Sequence, residues 1–69
     1  MTAVNVVING DAAEVEEGIS VAALLDHLRV EPRRVVVEHN RRILRSEELA
    51  RAHIAAGDEL ELVHLVGGG

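Results

Sequence analysis

Apolar positions recur with a period of two near both ends of the chain and with a helical period once in between. Val4-Asn5-Val6-Val7-Ile8 is rich in β-branched residues and runs into Asn9-Gly10, the dipeptide that best supplies the two positive φ angles of a type I′ hairpin turn. With Asn9 and Gly10 as the loop, Ile8 faces Asp11, Val6 faces Ala13 and Val4 faces Val15, which gathers one apolar set on a single side. Asn5, Val7, Ala12 and Glu14 fall on the other side, so one face is buried and the other at least partly wet. Glu16-Glu17-Gly18 reads as a turn. Ser20 then stands as N-cap of an amphipathic helix in which Val21, Leu24, Leu25 and Leu28 recur at i, i+3, i+4 and i+7. That apolar stripe needs a sheet to cover.

Pro32 stops helical structure beyond Arg29 to Glu31, and Val35-Val36-Val37 predicts a third strand with Val35 and Val37 inward, Val36 and Glu38 outward. After a turn at His39-Asn40, Ile43 and Leu44 fit a short fourth strand. Ser46-Glu47-Glu48-Leu49 predicts a helical turn with Ser46 as its cap and an acidic first turn. Gly57-Asp58 is the next turn signal, and the stretch from Glu59 to Leu65 alternates, with Leu60, Leu62 and His64 inward and both glutamates outward. Beyond Leu62 the outward positions become Val63 and Leu65. Together with Val36 and Val7 they compose an exposed aliphatic patch, the kind of surface that marks a partner site. The order hairpin, helix, strand, strand, short helical turn, strand predicts an α+β fold. Its mixed five-stranded sheet, one main helix and short helical turn follow the β-grasp, or ubiquitin-like, plan. A folded domain over 1–66 and a flexible glycine tail over 67–69 is the expected organisation.

Composition narrows what such a domain does. A chain of 69 residues buries only about 60% of its unfolded surface, which leaves little room for an enclosed substrate pocket and disfavours a self-sufficient enzyme. The hydrophobic fraction is 48% with no Phe, Trp or Tyr, so the core is aliphatic and base-stacking platforms for single-stranded nucleic acid are excluded. Seven Arg stand against twelve Asp and Glu, a net charge of -5, which repels phosphate backbones. Arg41, Arg42 and Arg45 cluster near one turn and read as solvated surface or a partner contact. The chain contains no Cys, hence no disulfide, no thiolate nucleophile and no thiol metal site. No apolar run reaches the roughly 20 residues that span a bilayer, and no signal-peptide pattern opens the chain. A cytoplasmic location is expected.

The candidate chemistry is sparse. His27, His39, His53 and His64 are scattered over helix, turn, helical turn and strand, without the converging ligand set that a zinc site needs, so no metal is expected. The carboxylates lack apolar flanks that would raise a pKa for acid–base work and read as a solvated acidic surface, with Glu59 and Glu61 placed to meet a basic partner. Ser20, Asp26 and His27 resemble a nucleophilic triad only in composition, because Ser20 is already explained as a helix cap.

The ending "LVGGG" remains. Glycines at a terminus are often only a loose end. A terminal carboxylate becomes a useful acyl donor, however, once another enzyme adenylates it, and residues without a Cβ suit a narrow channel leading to a buried nucleotide. A diglycine alone is a weak signal. A diglycine directly after the last strand of a β-grasp pattern is a strong one.

The segments "VVING", "SVAALLDHL", "RRVVVEHN" and "GDELELVHLVGGG", with the total length, resemble the ThiS family of sulfur carriers in thiamine thiazole biosynthesis, a branch of the ThiS/MoaD group, over essentially the whole chain. The resemblance implies a protein cosubstrate rather than an enzyme. An E1-like adenylyltransferase, ThiF, uses ATP to activate the C-terminal glycine, here Gly69 with Gly68 beside it. Sulfur from a donor such as a cysteine desulfurase makes a thiocarboxylate, and thiazole synthase, ThiG, receives it. No cofactor is bound by the carrier itself. Gly67, Val66, Leu65, Val63 and Val36 are the expected partner-binding residues. Family members often place Gly after the Asn that follows the third strand; Arg41 stands there in this chain, which leaves the geometry of that turn open. Carriers resembling MoaD serve the molybdenum cofactor but tend to be longer and to contain aromatic residues. Other ThiS-like carriers deliver sulfur elsewhere, and TGS-type β-grasp modules, from a different class, regulate larger proteins.

Overall fold

A computed structural model describes residues 2–66 of the chain. Strands β1 (Ala3–Ile8) and β2 (Asp11–Glu16) form the first hairpin, followed by helix α1 (Val21–His27), strands β3 (Val35–His39) and β4 (Arg42–Leu44), and the last strand β5 (Glu59–His64). Short 3-10 turns occupy Pro32–Arg34 and Ser46–Glu48. The strands build one five-stranded sheet in the order β2-β1-β5-β3-β4. β5 lies at its centre, parallel to β1 and antiparallel to β3.

Local chemistry accounts for each of these elements. Asn9 and Gly10 take φ of 51° and 83°, and the β1–β2 register is the one the sequence predicts, with Ile8 opposite Asp11 and Val4 opposite Val15. The β3–β4 turn repeats the device: His39 pairs with Arg42, while Asn40 and Arg41 adopt φ of 51° and 71°. The turn therefore keeps the two positive φ angles of type I′ with an arginine where glycine is favoured, at a cost of about 1–2 kcal/mol for the left-handed arginine. Ser20 caps α1 as expected, its Oγ accepting the Ala23 N–H at 3.0 Å. The helix stops through a left-handed residue, Arg29 at φ 61°. Its N–H donates to the Asp26 carbonyl and the Val30 N–H to that of Leu25, at 3.0 and 2.9 Å, which satisfies carbonyls the helix end would otherwise leave open.

The core is aliphatic throughout. Val21, Leu24 and Leu25 of α1 pack on Val6, Val35, Val37, Leu44, Leu60 and Leu62 of the sheet, with Leu49 and Ile54 closing one end. Three sequence expectations are corrected. Ser46 is not the cap of its turn: Arg45, with extended φ and ψ of -82° and 159°, occupies that position, and the carboxylate of Glu48 reaches back to accept the Arg45 N–H at 2.8 Å. Leu28, the end of the helical stripe, is 42% exposed, because the helix closes at His27 and Leu28 stands beyond its last full turn. His64 shares the face of Leu60 and Leu62 by alternation but is exposed, because β1 has ended and no strand lies beside it on that side. Ile54, which sits in no periodic pattern, is only 1% exposed. Backbone bonds hold it there: its N–H donates to Ile19 and its carbonyl accepts from Gly18, at 2.9 and 3.0 Å.

Candidate functional site: the root of the C-terminal glycines

Gly68 and Gly69, the expected reacting residues, and Gly67 beside them, lie outside the described residues. What the structure defines is the platform from which they depart. On one side of β5, β3 pairs with it as far as Val35 opposite His64 and Val36 opposite Val63. One further bond, from the Leu65 N–H to the Arg34 carbonyl at 2.7 Å, carries the pairing past the strand's end.

On the other side β1 stops early, and the hairpin turn takes over. The Asn9 N–H donates to the Leu60 carbonyl at 2.8 Å. The Asn9 side chain then acts as two further backbone groups would, its Oδ1 accepting the Leu62 N–H at 2.7 Å and its Nδ2 donating to the Leu62 carbonyl at 3.4 Å. An amide side chain thus lengthens a parallel ladder by one rung. Past Leu62, β5 is held from the β3 side.

The outward face of this platform is the aliphatic patch. Val63, Leu65 and Val66 are 51%, 54% and 99% exposed, and Val36, opposite Val63, is half-buried beneath the same surface. Val36, Val63 and Leu65 share this face as the alternation implies, and Val66 follows beyond the strand's end. Val7 is not part of the group: it pairs with Glu59, at the far end of β5, roughly 13 Å along the strand from Val63. Ile43, 60% exposed, belongs near the patch instead, because it sits opposite Glu38 one strand over. No sequence signal separated Ile43 from Leu44, since a three-residue strand shows no periodicity. Asn9 was legible only as a turn residue; its bond to a residue 53 positions away has no local signature.

Charge differs between the two sides of the patch: the exposed Arg34, paired with Glu31, stands beside Leu65, and the other side is acidic. Glu38 and Glu61 face each other across β3 and β5, immediately beside the Val36–Val63 pair. Like charges in direct opposition disfavour each other, so a cation placed over them is stabilised. Away from the patch, two turns are tied together by Asp58. Its carboxylate accepts from the Ala55 N–H at 2.9 Å and from Asn40 Nδ2 at 3.1 Å, and lies 2.7 Å from His39 Nε2. Partial burial opposes its ionisation, but these bonds outweigh that and hold its carboxyl below the ordinary carboxylate value.

The remaining histidines are dispersed. The Nδ1 of His53 is 3.0 Å from the Gly18 carbonyl, His27 and His64 are exposed, and no group of three potential ligands is positioned to hold a metal ion among the described residues. Nor is any helix among them long and apolar enough to cross a membrane. Cavities of about 440 and 370 Å³ occur elsewhere, and none of the patch residues lines them. The platform is a surface, suited to contact with another macromolecule rather than to enclosing a small molecule.

Comparison with known proteins agrees with this geometry. The crystal structure of the thiamine biosynthesis protein ThiS from Geobacter metallireducens superposes with a TM-score of 0.82 at 32% identity, covering 94% of this chain and 99% of that one. A solution structure of a thiamine biosynthesis protein from the same organism gives 0.77, again at 32% identity, over 94% of this chain and 87% of that one. The fold is the ThiS-like β-grasp.

Two curated relatives are proteins named thiazole synthase. The one from Paramagnetospirillum magneticum is 40% identical over 63 residues, covering 91% of this chain, and the one from Magnetococcus marinus is 31% identical over 62 residues, covering 90%. The chain spans only 19% of the length of either relative. The ThiS family profile matches residues 4–69, glycines included, and with the fold and the platform described above it establishes that the chain belongs to the ThiS family.

Proposed function

We propose that this chain is a sulfur carrier whose terminal carboxylate, on Gly69, is the group that reacts. A partner adenylyltransferase of the ThiF type joins that carboxylate to AMP from ATP, with pyrophosphate leaving. The terminal sulfur of a donor persulfide, such as that of a cysteine desulfurase, then displaces AMP to give an acyl persulfide, and a thiol cleaves its S–S bond, leaving a thiocarboxylate on the carrier and a disulfide on the donor side. Transfer of the sulfur to thiazole synthase, in the cytoplasm, returns the carboxylate. The carrier supplies no catalytic group, no bound cofactor and no metal; it supplies a glycine tail and a surface by which partners find it.

One observation carries the reading. The exposed aliphatic residues Val63, on the central strand, and Leu65 and Val66, just past its end, lead directly into the three glycines, so a partner that covers the patch has the tail at hand. The opposed Glu38 and Glu61 favour a partner surface that combines apolar and basic groups. Thiazole synthase as the acceptor is supported by the relatives of that name, which contain a region similar to this chain.

The test is intact-mass measurement of the purified chain after incubation with the cognate adenylyltransferase, ATP and a sulfur donor. The expected result is a gain equal to the difference between sulfur and oxygen, located on the C-terminal glycine by fragmentation. An unchanged mass with the cognate partner active on ATP rejects the carrier reading.

A further inference from the structure

At the margin of the sheet farthest from β4, β2 has no strand on its outer side, and a groove of about 440 Å³ opens between it and α1. Its apolar walls are Ile8, Ala13 and Val15 from the hairpin and Ile19, Leu24 and Leu28 from the helical side. The space is open because the side chains around it are small. Ala13 sits opposite Val6 in the hairpin, where a larger residue would fill the gap, and the chain contains no aromatic residue to do so. Glu14 and Glu16 are carboxylates of this edge, and His27 but no arginine borders the groove.

The hairpin register determines what this edge offers. Ile8 and Asp11 close the two-residue turn, so Asp11, Ala13 and Val15 direct their N–H and C=O groups to β1, while Ala12 and Glu14 direct theirs outward. Side chains alternate in the same sense: those of Ala13 and Val15 face the groove, and those of Ala12, Glu14 and Glu16 the opposite side. A strand added here would place alternate side chains into the apolar groove and the intervening ones beside the two carboxylates. Aliphatic residues suit the first set and basic residues the second. A second copy of β2 is a poor occupant, because it would bring Glu14 and Glu16 against their own like charges.

We propose that the β2 edge and the groove beside it form a docking site for an extended segment of a partner protein in which aliphatic and basic residues alternate. The site is separated from β5 by β1, so it is distinct from the platform at the root of the glycines, and its existence does not depend on the chemistry assigned to them.

The full chain, isotopically labelled for NMR, is titrated with a capped heptapeptide of alternating valine and arginine. Saturable shifts confined to Ala12–Glu16 and Leu24–Leu28 are expected. A peptide of the same composition, with its valines in one block and its arginines in another, is expected to bind at least about tenfold more weakly, as is the double variant Glu14→Arg, Glu16→Arg with the alternating peptide. Both glutamates are exposed, so the variant's unchanged melting curve serves as the folding control. Equal affinity for the two peptides, shifts centred on Val36 and Val63, or no shifts at all would overturn the proposal. So would concentration-dependent shifts at Arg42–Leu44 without peptide, which would make the basic β4 edge of a second copy the occupant.

Discussion

Asn9 and Arg41 solve the same backbone problem with opposite success. Both hold φ in the left-handed region, where asparagine is tolerated and arginine is not. Replacing Arg41 by glycine should remove that strain while adding unfolded-state entropy, a net stabilisation of roughly 0.5–1 kcal/mol that chemical denaturation would resolve. At Asn9 the same substitution should act in reverse. Asn9→Gly keeps the permitted φ but removes both side-chain bonds to Leu62, a loss of about 1 kcal/mol. Hydrogen exchange at the Leu62 amide should accelerate in this variant; an unchanged rate would show that the Asn9 rung does not hold β5.

Among the elements, β5 is the one whose two faces have different work. Leu62 is 8% exposed and part of the core, so Leu62→Ala should cost about 2–5 kcal/mol. Val63, its neighbour on the outer face, should tolerate Val63→Asp with little change in melting while losing affinity for the adenylating partner. Parallel melts and binding measurements separate the two effects, and equal destabilisation by both changes would contradict the faces as described.

The turn that feeds β5 contributes to the pH dependence of stability. Asp58 has a folded-state pKa below its unfolded value, so its contribution is present above the unfolded value of about 3.9 and is lost as pH falls through the folded one. Acid melts of wild type should therefore decline more steeply with falling pH than those of Asp58→Asn, whose side chain has no proton to gain.

For the molecule as a whole, folding and function are predicted to be separable. Among the described residues the buried core runs from Val6 to Leu62, so deleting Gly68 and Gly69 should leave the melting temperature where it is while abolishing sulfur loading. In cells that deletion should match loss of the gene, producing a requirement for thiazole or thiamine with molybdenum enzymes still active. Loss of molybdenum-enzyme activity without a thiamine requirement would instead assign the carrier to the other pathway.

What the chain determined by itself was short-range, though not all of it, since the cap at Arg45 rather than Ser46 was misread. Asn9-Gly10 specified the first hairpin and its register, Ser20 the start of α1, and the alternation from Glu59 onward the two faces of β5, because turn dihedrals, capping and side-chain periodicity depend on residues a few positions apart. The tail and the neighbouring Val63 and Leu65 were legible for that reason. Only the tertiary structure decided which distant residues join them. It brought Ile43 toward the patch, moved Val7 to the other end of β5, and left His64 exposed where β1 runs out. It also placed an asparagine from the hairpin turn against Leu62. Those outcomes follow from how far each strand extends past its neighbour, and strand ends are set by hydrogen bonds and packing between segments that local pattern does not relate.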